Sequence, residues 1–277
     1  MSVVVVARHG ERTDYVHRDQ GLNWVQEQRR SLGQPWNPPL TPHGKQQATR
    51  LGLHLAKELD RLSLPPVSQV YASPLLRCLQ TAACTGLVEK IGIEPGLMES
   101  INGPWYRSWA LEESDGTWGG GPAEFDAKSV HELAQSPIQE LLQAAMTSAT
   151  PEPLPSSVDR TYSARTKISE PYSFPNHRES TKSQRQRMKS ALETLASTAL
   201  GNAPTTTLLV SHGGPVTHLY AELTGQSWKV HGESSYCCYS IYVNNDVFEN
   251  VASGWEPIQV NESSYLNEKV LRTDAYM

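Results

Sequence analysis

The sequence predicts an α/β fold: a three-layer α/β/α arrangement around a mainly parallel central sheet, with an inserted cap region. It reads as a single domain over residues 1–277, the insertion falling at about 101–178. Three observations lead there. Short apolar runs bounded by turn residues alternate with helical apolar spacing through the first hundred residues. The same rhythm returns between Ser180 and Val243. Between them it is lost in a stretch rich in Trp, Gly and Pro. Strand–helix alternation of this kind builds parallel sheets covered on both faces.

The elements follow in order. Val3 to Ala7 carries four consecutive valines, a strand buried on both faces. Thr13 to Pro39 reads as a polar loop holding Trp24 and Trp36. Thr41-Pro42-His43-Gly44 opens a helix, with Thr41 at the N-cap and Pro42 in the first turn. Ala48, Leu51, Leu55 and Leu59 form its apolar stripe, and Pro65-Pro66 ends it. Val67 to Ala72 is a second strand. Ser73-Pro74 is expected to cap a second helix running through Leu75, Leu79, Ala82 and Ala83. Ile91 to Ile93 is a short third strand.

The insertion gathers Trp105, Tyr106, Trp109 and Trp118 beside Gly119-Gly120-Gly121. It offers one helix at 129–146, kinked at Pro137, and a proline-punctuated stretch from Pro151 to Pro175. It is expected to cover the sheet's active edge. Ser180 to Leu200 then reads as a polar-faced helix and Thr206 to Val210 as a strand. A helix follows to Leu223, then a strand from Tyr239 to Val243 and an edge strand at Ile258 to Val260.

Composition narrows the function. A net charge of −5 argues against nonspecific nucleic-acid binding, so any positive field is local to a pocket. No segment approaches the roughly 18 apolar residues of a membrane span. The four cysteines, Cys78, Cys84, Cys237 and Cys238, form no CxxC pair and read as reduced thiols of a cytoplasmic protein. None is followed by the Arg that a cysteine-based phosphatase loop requires. No Asp/His cluster has metal-ligand spacing, so neither metal nor cofactor is expected.

Four segments end a strand with a group suited to phosphate chemistry: Arg8, His9 and Arg12 after the first, Arg77 after the second, Glu99 past the third, His212 after Thr206 to Val210. In a parallel sheet the carboxyl ends of strands lie side by side, so these groups converge. A neutral His9 would attack phosphorus, its other nitrogen held by a carbonyl. Arg8, Arg12 and Arg77 would neutralise the phosphate oxygens. His212 would donate as an imidazolium beside the dianion, and Glu99 would protonate the leaving oxygen. Glu11, Asp14, Glu112 and Glu113 are rival acids. Arg178, Lys182, Arg185, Arg187 and Lys189 read as a solvated basic helix face.

The blocks Arg8-His9-Gly10-Glu11-Arg12, Ser73 to Ala82, Glu94 to Glu99 and Ser211-His212-Gly213 together resemble the histidine phosphatase superfamily, the phosphoglycerate-mutase-like fold. With Pro39 to Gly44, their wording is most similar to the phosphatase domain of eukaryotic Sts proteins and to insect ecdysteroid-phosphate phosphatases. The resemblance covers about residues 1–100 and 180–243. It implies a phosphorylated His9, a pocket completed by Arg8, Arg12, Arg77 and His212, and Glu99 as acid. Arg12 stands where the mutase pattern has serine, which favours hydrolysis over isomerisation. Gly213 after His212 excludes the His-Asp pair of the acid phosphatase and phytase branch. The substrate implied is a phosphorylated small molecule or a phosphotyrosyl protein. A homodimer is left open, and no membrane or nucleic-acid partner is expected.

Overall fold

Val3, Val5 and Ala7 face one side of the first strand, and Val4 and Val6 the other, so this strand needs apolar cover on both faces. The computed structural model describes residues 1–24, 37–100, 154–168, 179–197, 204–244 and 254–267. Its elements in chain order are β1 (Ser2–Arg8), α1 (Thr13–Asp19), α2 (Pro42–Arg61), β2 (Val67–Ala72), α3 (Leu76–Thr85), β3 (Ile91–Ile93), α4 (Thr181–Ser197), β4 (Thr205–Ser211), α5 (Gly213–Thr224), β5 (Tyr239–Asn244) and β6 (Trp255–Glu262). The six strands form one sheet in the order β3-β2-β4-β1-β5-β6. The β3-β2, β2-β4 and β4-β1 pairings are parallel, whereas β1-β5 and β5-β6 are antiparallel. The sheet is therefore mixed, with the parallel half on the β3 side of β1.

The two covers are distinct cores. Ala48, Leu51, Leu55 and Leu59 of α2 pack with Cys78, Leu79 and Ala82 of α3 against Val3, Val5 and Ala7. Met188, Leu192 and Leu195 of α4 pack with Val216 and Leu219 of α5 against Val4, Val6 and Leu209. β1 thus lies in the middle layer, and its C-terminal end is where parallel neighbours also end.

Local rules explain most boundaries. Thr41 accepts a hydrogen bond from the Gly44 amide at 2.9 Å, capping α2 as expected. Gly44 is there for a close approach: a Cβ on it would lie 2.3 Å from the Glu11 carbonyl oxygen, and one on Gly10 would lie 2.6 Å from the Gly44 carbonyl oxygen. The chain after His9 is thereby pressed against the start of α2. β6 tolerates Pro257 because it is the sheet's edge, where one missing ladder donor costs little.

Three boundaries differ from expectation. Part of the polar loop after β1 is the seven-residue α1, whose first turn holds Asp14 and whose last holds His17 and Arg18. Ser73 does not cap α3: the helix starts after Leu75, and the Leu76 amide donates instead to Asn37 Oδ1 at 2.7 Å. A cap borrowed from 39 residues upstream carries no local sequence signal. The edge strand expected at Ile258 to Val260 runs the full length of β6.

The described part of the insertion, residues 154–168, lies along the outer edge of β3. Val158 bridges Ile91 in parallel, and the Ile91 amide donates to the Ser157 carbonyl at 2.9 Å. Glu94, fully buried, latches this segment by accepting from the Tyr162 hydroxyl, the Arg165 and Thr166 amides and the Thr166 hydroxyl. The expected helix at 129–146, the Trp105–Trp118 cluster and the rival acids Glu112 and Glu113 lie outside the described residues.

Candidate active site

β1 delivers Arg8 and His9 to the sheet's C-terminal edge, β4 delivers His212, and the first turn of α3 delivers Arg77. All four side chains are buried. His9 Nδ1 donates to the Gly10 carbonyl at 2.8 Å, leaving Nε2 as the ring's lone-pair atom. The Arg77 Nε–H points at that lone pair from 3.3 Å. The His9 and His212 rings meet edge to face with centroids 5.3 Å apart. The His9 backbone is fixed on both sides, its amide donating to the Ser211 carbonyl and its carbonyl accepting from the Cys237 amide.

Each guanidinium is held differently. Arg8 donates to the Ser234 carbonyl at 2.6 Å and lies over the Tyr236 ring, 4.6 Å from its centroid. Arg12 is clamped by Asp14: Nε and Nη2 donate to the two carboxylate oxygens at 2.8 and 2.6 Å. This pair is buried. Asp14, a rival acid in the sequence, is therefore committed to Arg12, and the forked edge of Arg12 is turned to a carboxylate. Glu11, another rival, accepts from the Thr41 hydroxyl at 2.7 Å.

Glu99 is 3% exposed and stands beside His212, with Oε2 3.7 Å from Nδ1. His212 Nε2 in turn meets the Ser73 hydroxyl at 2.8 Å. Ser73, expected as a helix cap, is thus a partner of the second imidazole. Thr81 has a related task, accepting from the Gly10 amide at 3.0 Å and donating to the Arg77 carbonyl at 2.7 Å. It ties the β1 loop to the helix that carries Arg77. Cys78 lies 3.4 Å from His212 Nε2, but burial pushes its thiol up to about 12, so it stays a neutral packing group.

Burial holds His9 well below the usual imidazole range, and the Arg77, Arg8 and Arg12 charges add to this, against a weaker opposing bond to Gly10. Burial also holds His212 low, followed by Arg77 and His9. A neutral His9 is the form a nucleophile needs. His212 is neutral as well, so the imidazolium expected from the sequence requires the negative charge of a bound dianion.

These two histidines carry a stability consequence. Unfolded imidazoles titrate near about 6.5. Both folded values lie well below that, so under acid conditions the unfolded chain binds protons that the folded chain refuses. Their contribution is intact above the unfolded value and is lost as pH falls toward the folded values, at about 1.4 kcal/mol per pH unit for each histidine. Urea unfolding at pH 7.5 and 5.5 should give a clearly lower stability at 5.5. Equal values would show that the histidines are not buried neutral.

No curated sequence matches the chain. A family model does: that of the histidine phosphatase superfamily, branch 1, over residues 4–144 and 137–246. Solved structures share the fold. A mutant phosphoserine phosphatase from Entamoeba histolytica, in complex with phosphoserine, aligns with a TM-score of 0.51 at 16% identity, covering 96% of this chain and 100% of its own. A mycobacterial glucosyl-3-phosphoglycerate phosphatase gives 0.52 at 18% identity, over 94% and 99%. The ecdysone phosphate phosphatase of Bombyx mori, in complex with tungstate, gives 0.51 at 20% identity, over 94% and 93%.

Proposed function

We propose, for a chain that belongs to the histidine phosphatase superfamily and is a phosphatase, a specific chemistry: hydrolysis of an organic phosphate monoester through a phosphohistidine on His9. The observation that carries it is His9 itself, buried, with Nδ1 locked on the Gly10 carbonyl and Nε2 turned to the Arg77 guanidinium. A phosphate entering there meets a lone pair and a positive wall together.

The steps follow from the chain's own groups. Nε2 of His9 attacks phosphorus, forming an N–P bond as the bond to the leaving oxygen breaks. Arg8, Arg12 and Arg77 neutralise the equatorial oxygens, which is most of what phosphoryl transfer asks of a protein. Arg12 contributes from the side of Nη1, which meets the Tyr15 hydroxyl at 3.5 Å, since Nε and Nη2 serve Asp14 at 2.8 and 2.6 Å. Glu99, protonated, gives its proton to the leaving oxygen. Its carboxylate then takes a proton from water, whose oxygen attacks phosphorus. The N–P bond breaks, releasing inorganic phosphate and neutral His9. His212, between Glu99 and Ser73, donates to the phosphate once the dianion raises its proton affinity. No step calls on a metal, and a pocket walled by three guanidiniums suits a dianion and repels a cation.

The substrate class is a phosphotyrosine-like, steroid or small metabolite phosphate. Three neighbours of the same fold carry names that cite phosphoserine, glucosyl-3-phosphoglycerate and ecdysone phosphate, all monoesters. The protein is proposed to work in the cytoplasm, where Cys78, Cys84, Cys237 and Cys238 remain thiols.

The reading predicts a covalent intermediate. Rapid mixing with labelled substrate, quenched in alkali, should trap label that is stable to base, released by acid and mapped to His9. Inorganic phosphate should then form in step with the leaving alcohol. Phosphate transferred to a second hydroxyl would identify a mutase instead, and turnover with no trapped label under any quench would remove the covalent step.

A further inference from the structure

The Glu99 carboxylate accepts from the Ser100 amide at 2.9 Å, so its position depends on what holds the backbone of its own segment. The segment carrying it is irregular: a single turn of 3₁₀ helix at Pro95–Leu97, then extended backbone at Met98. One bond from the sheet reaches it, the Ser211 hydroxyl donating to the Leu97 carbonyl at 2.7 Å. The Gly96 amide donates to the Thr166 hydroxyl at 2.8 Å, and the Gly96, Met98 and Glu99 carbonyls are gathered by Arg187 on α4.

Arg187 has its five N–H groups directed at five acceptors. Nε and Nη2 donate to the two oxygens of Glu179, each at 2.7 Å. Nη1 donates to the carbonyls of Gly96 and Met98 at 2.8 and 2.9 Å, and Nη2 also to the carbonyl of Glu99 at 3.2 Å. The two charged side chains are almost fully buried, 6% and 0% exposed. A planar guanidinium can span three carbonyls of one segment while a carboxylate braces its other edge; an ammonium, with three donors and no plane, cannot. The Gln184 amide, three residues before Arg187, donates to the Ser100 hydroxyl and extends the clamp past Glu99.

We propose that Arg187, braced by Glu179, is a positioning residue for the proton donor: it fixes the Gly96–Glu99 backbone so that the Glu99 carboxyl meets the leaving oxygen. The inference rests on Glu99 being the acid. Proton delivery tolerates little displacement, and a shift of about 1 Å can cost on the order of 100-fold in rate.

The test reads leaving-group dependence. p-Nitrophenolate departs without help, whereas the alkoxide of β-glycerophosphate needs the proton. The ratio of kcat/KM for these two substrates, taken on one preparation, cancels any loss of folded protein. Glu99→Gln should depress β-glycerophosphate hydrolysis far more than p-nitrophenyl phosphate hydrolysis. Arg187→Lys should move the ratio the same way, by about 30-fold, and Glu179→Gln, which removes only the brace, should move it less. The double variant Glu99→Gln with Arg187→Lys should add nothing to the ratio of Glu99→Gln alone, because both act through one proton. Equal losses on both substrates in Arg187→Lys and Glu179→Gln, with the ratio still sensitive to Glu99→Gln, overturn the positioning role and leave the acid in place. A ratio unmoved by Glu99→Gln removes the acid assignment itself.

Discussion

Replacing His9 with alanine should lower kcat by about 10⁵-fold while leaving phosphate affinity within about tenfold of the parent. The two halves have separate causes. In the proposed chemistry the rate falls because Nε2 is the attacking atom, and neither close neighbour offers a substitute: His212 is engaged by Ser73 and by Glu99, and the Cys78 thiol is held neutral. Affinity persists because Arg8, Arg12 and Arg77 remain, each held in place by a partner other than His9 or by its helix. Steady-state hydrolysis of p-nitrophenyl phosphate reads the first half, and competition by inorganic phosphate or titration calorimetry reads the second. The variant also has a stability signature. Deleting one buried neutral imidazole removes one group that penalises the folded state in acid, so the fall in stability between pH 7.5 and 5.5 should be shallower than in the parent, by up to about 1.4 kcal/mol per pH unit. Near-parental turnover by His9→Ala would mean that the nucleophile lies elsewhere.

What the sequence made legible, and what it hid, divides by the range of the interaction involved. Strand β1 and the four groups beyond the strand ends were readable because apolar period and turn residues are local signals, and parallel strands align their ends whatever the loops do. The Arg12–Asp14 clamp had a local signal as well, two charges two residues apart at a helix start, but its consequence needed the burial of both. Asn37 gave no hint of capping α3, since its partner Leu76 is brought close only by the tertiary fold. Arg187 was misread. In a run with Arg185 and Lys189 it looks like one more solvated cation, and only the Gly96, Met98 and Glu99 carbonyls make it different. Glu94 and Glu99 share a hexapeptide and a residue type. They separate because residues 162–166 consume every oxygen of the first, while the second turns to His212. Helices and strand ends are written in short words; the supports of a site are contacts between distant segments.

Arg77 makes the most demanding prediction, because it acts on His9 in two opposed ways. Its Nε–H donates to the His9 lone pair that attacks in the proposed chemistry, so in the resting pocket it would mask the nucleophile. Its charge is also the largest electrostatic contribution holding both imidazoles low, after burial itself. When a phosphate enters, the guanidinium exchanges a nitrogen acceptor for anionic oxygens, and the lone pair is released as the oxygens are bound. Arg77→Ala should therefore do two things. It should cut kcat/KM by about 10³-fold, the scale set by losing a preorganised donor to transition-state charge. It should also move the acidic limb of the kcat/KM profile to higher pH, because a charge that disfavours protonated His9 is gone. Ionisation of the substrate contributes equally to parent and variant and drops out of the comparison. Arg77→Lys separates the two roles. The ammonium keeps the charge, so the limb should shift less than in Arg77→Ala. It loses the fork, so most of the rate should stay lost. An acidic limb that does not move in Arg77→Ala would show that burial alone keeps His9 neutral. Full recovery by Arg77→Lys would show that the pocket needs a positive charge at this position and not the geometry of a guanidinium.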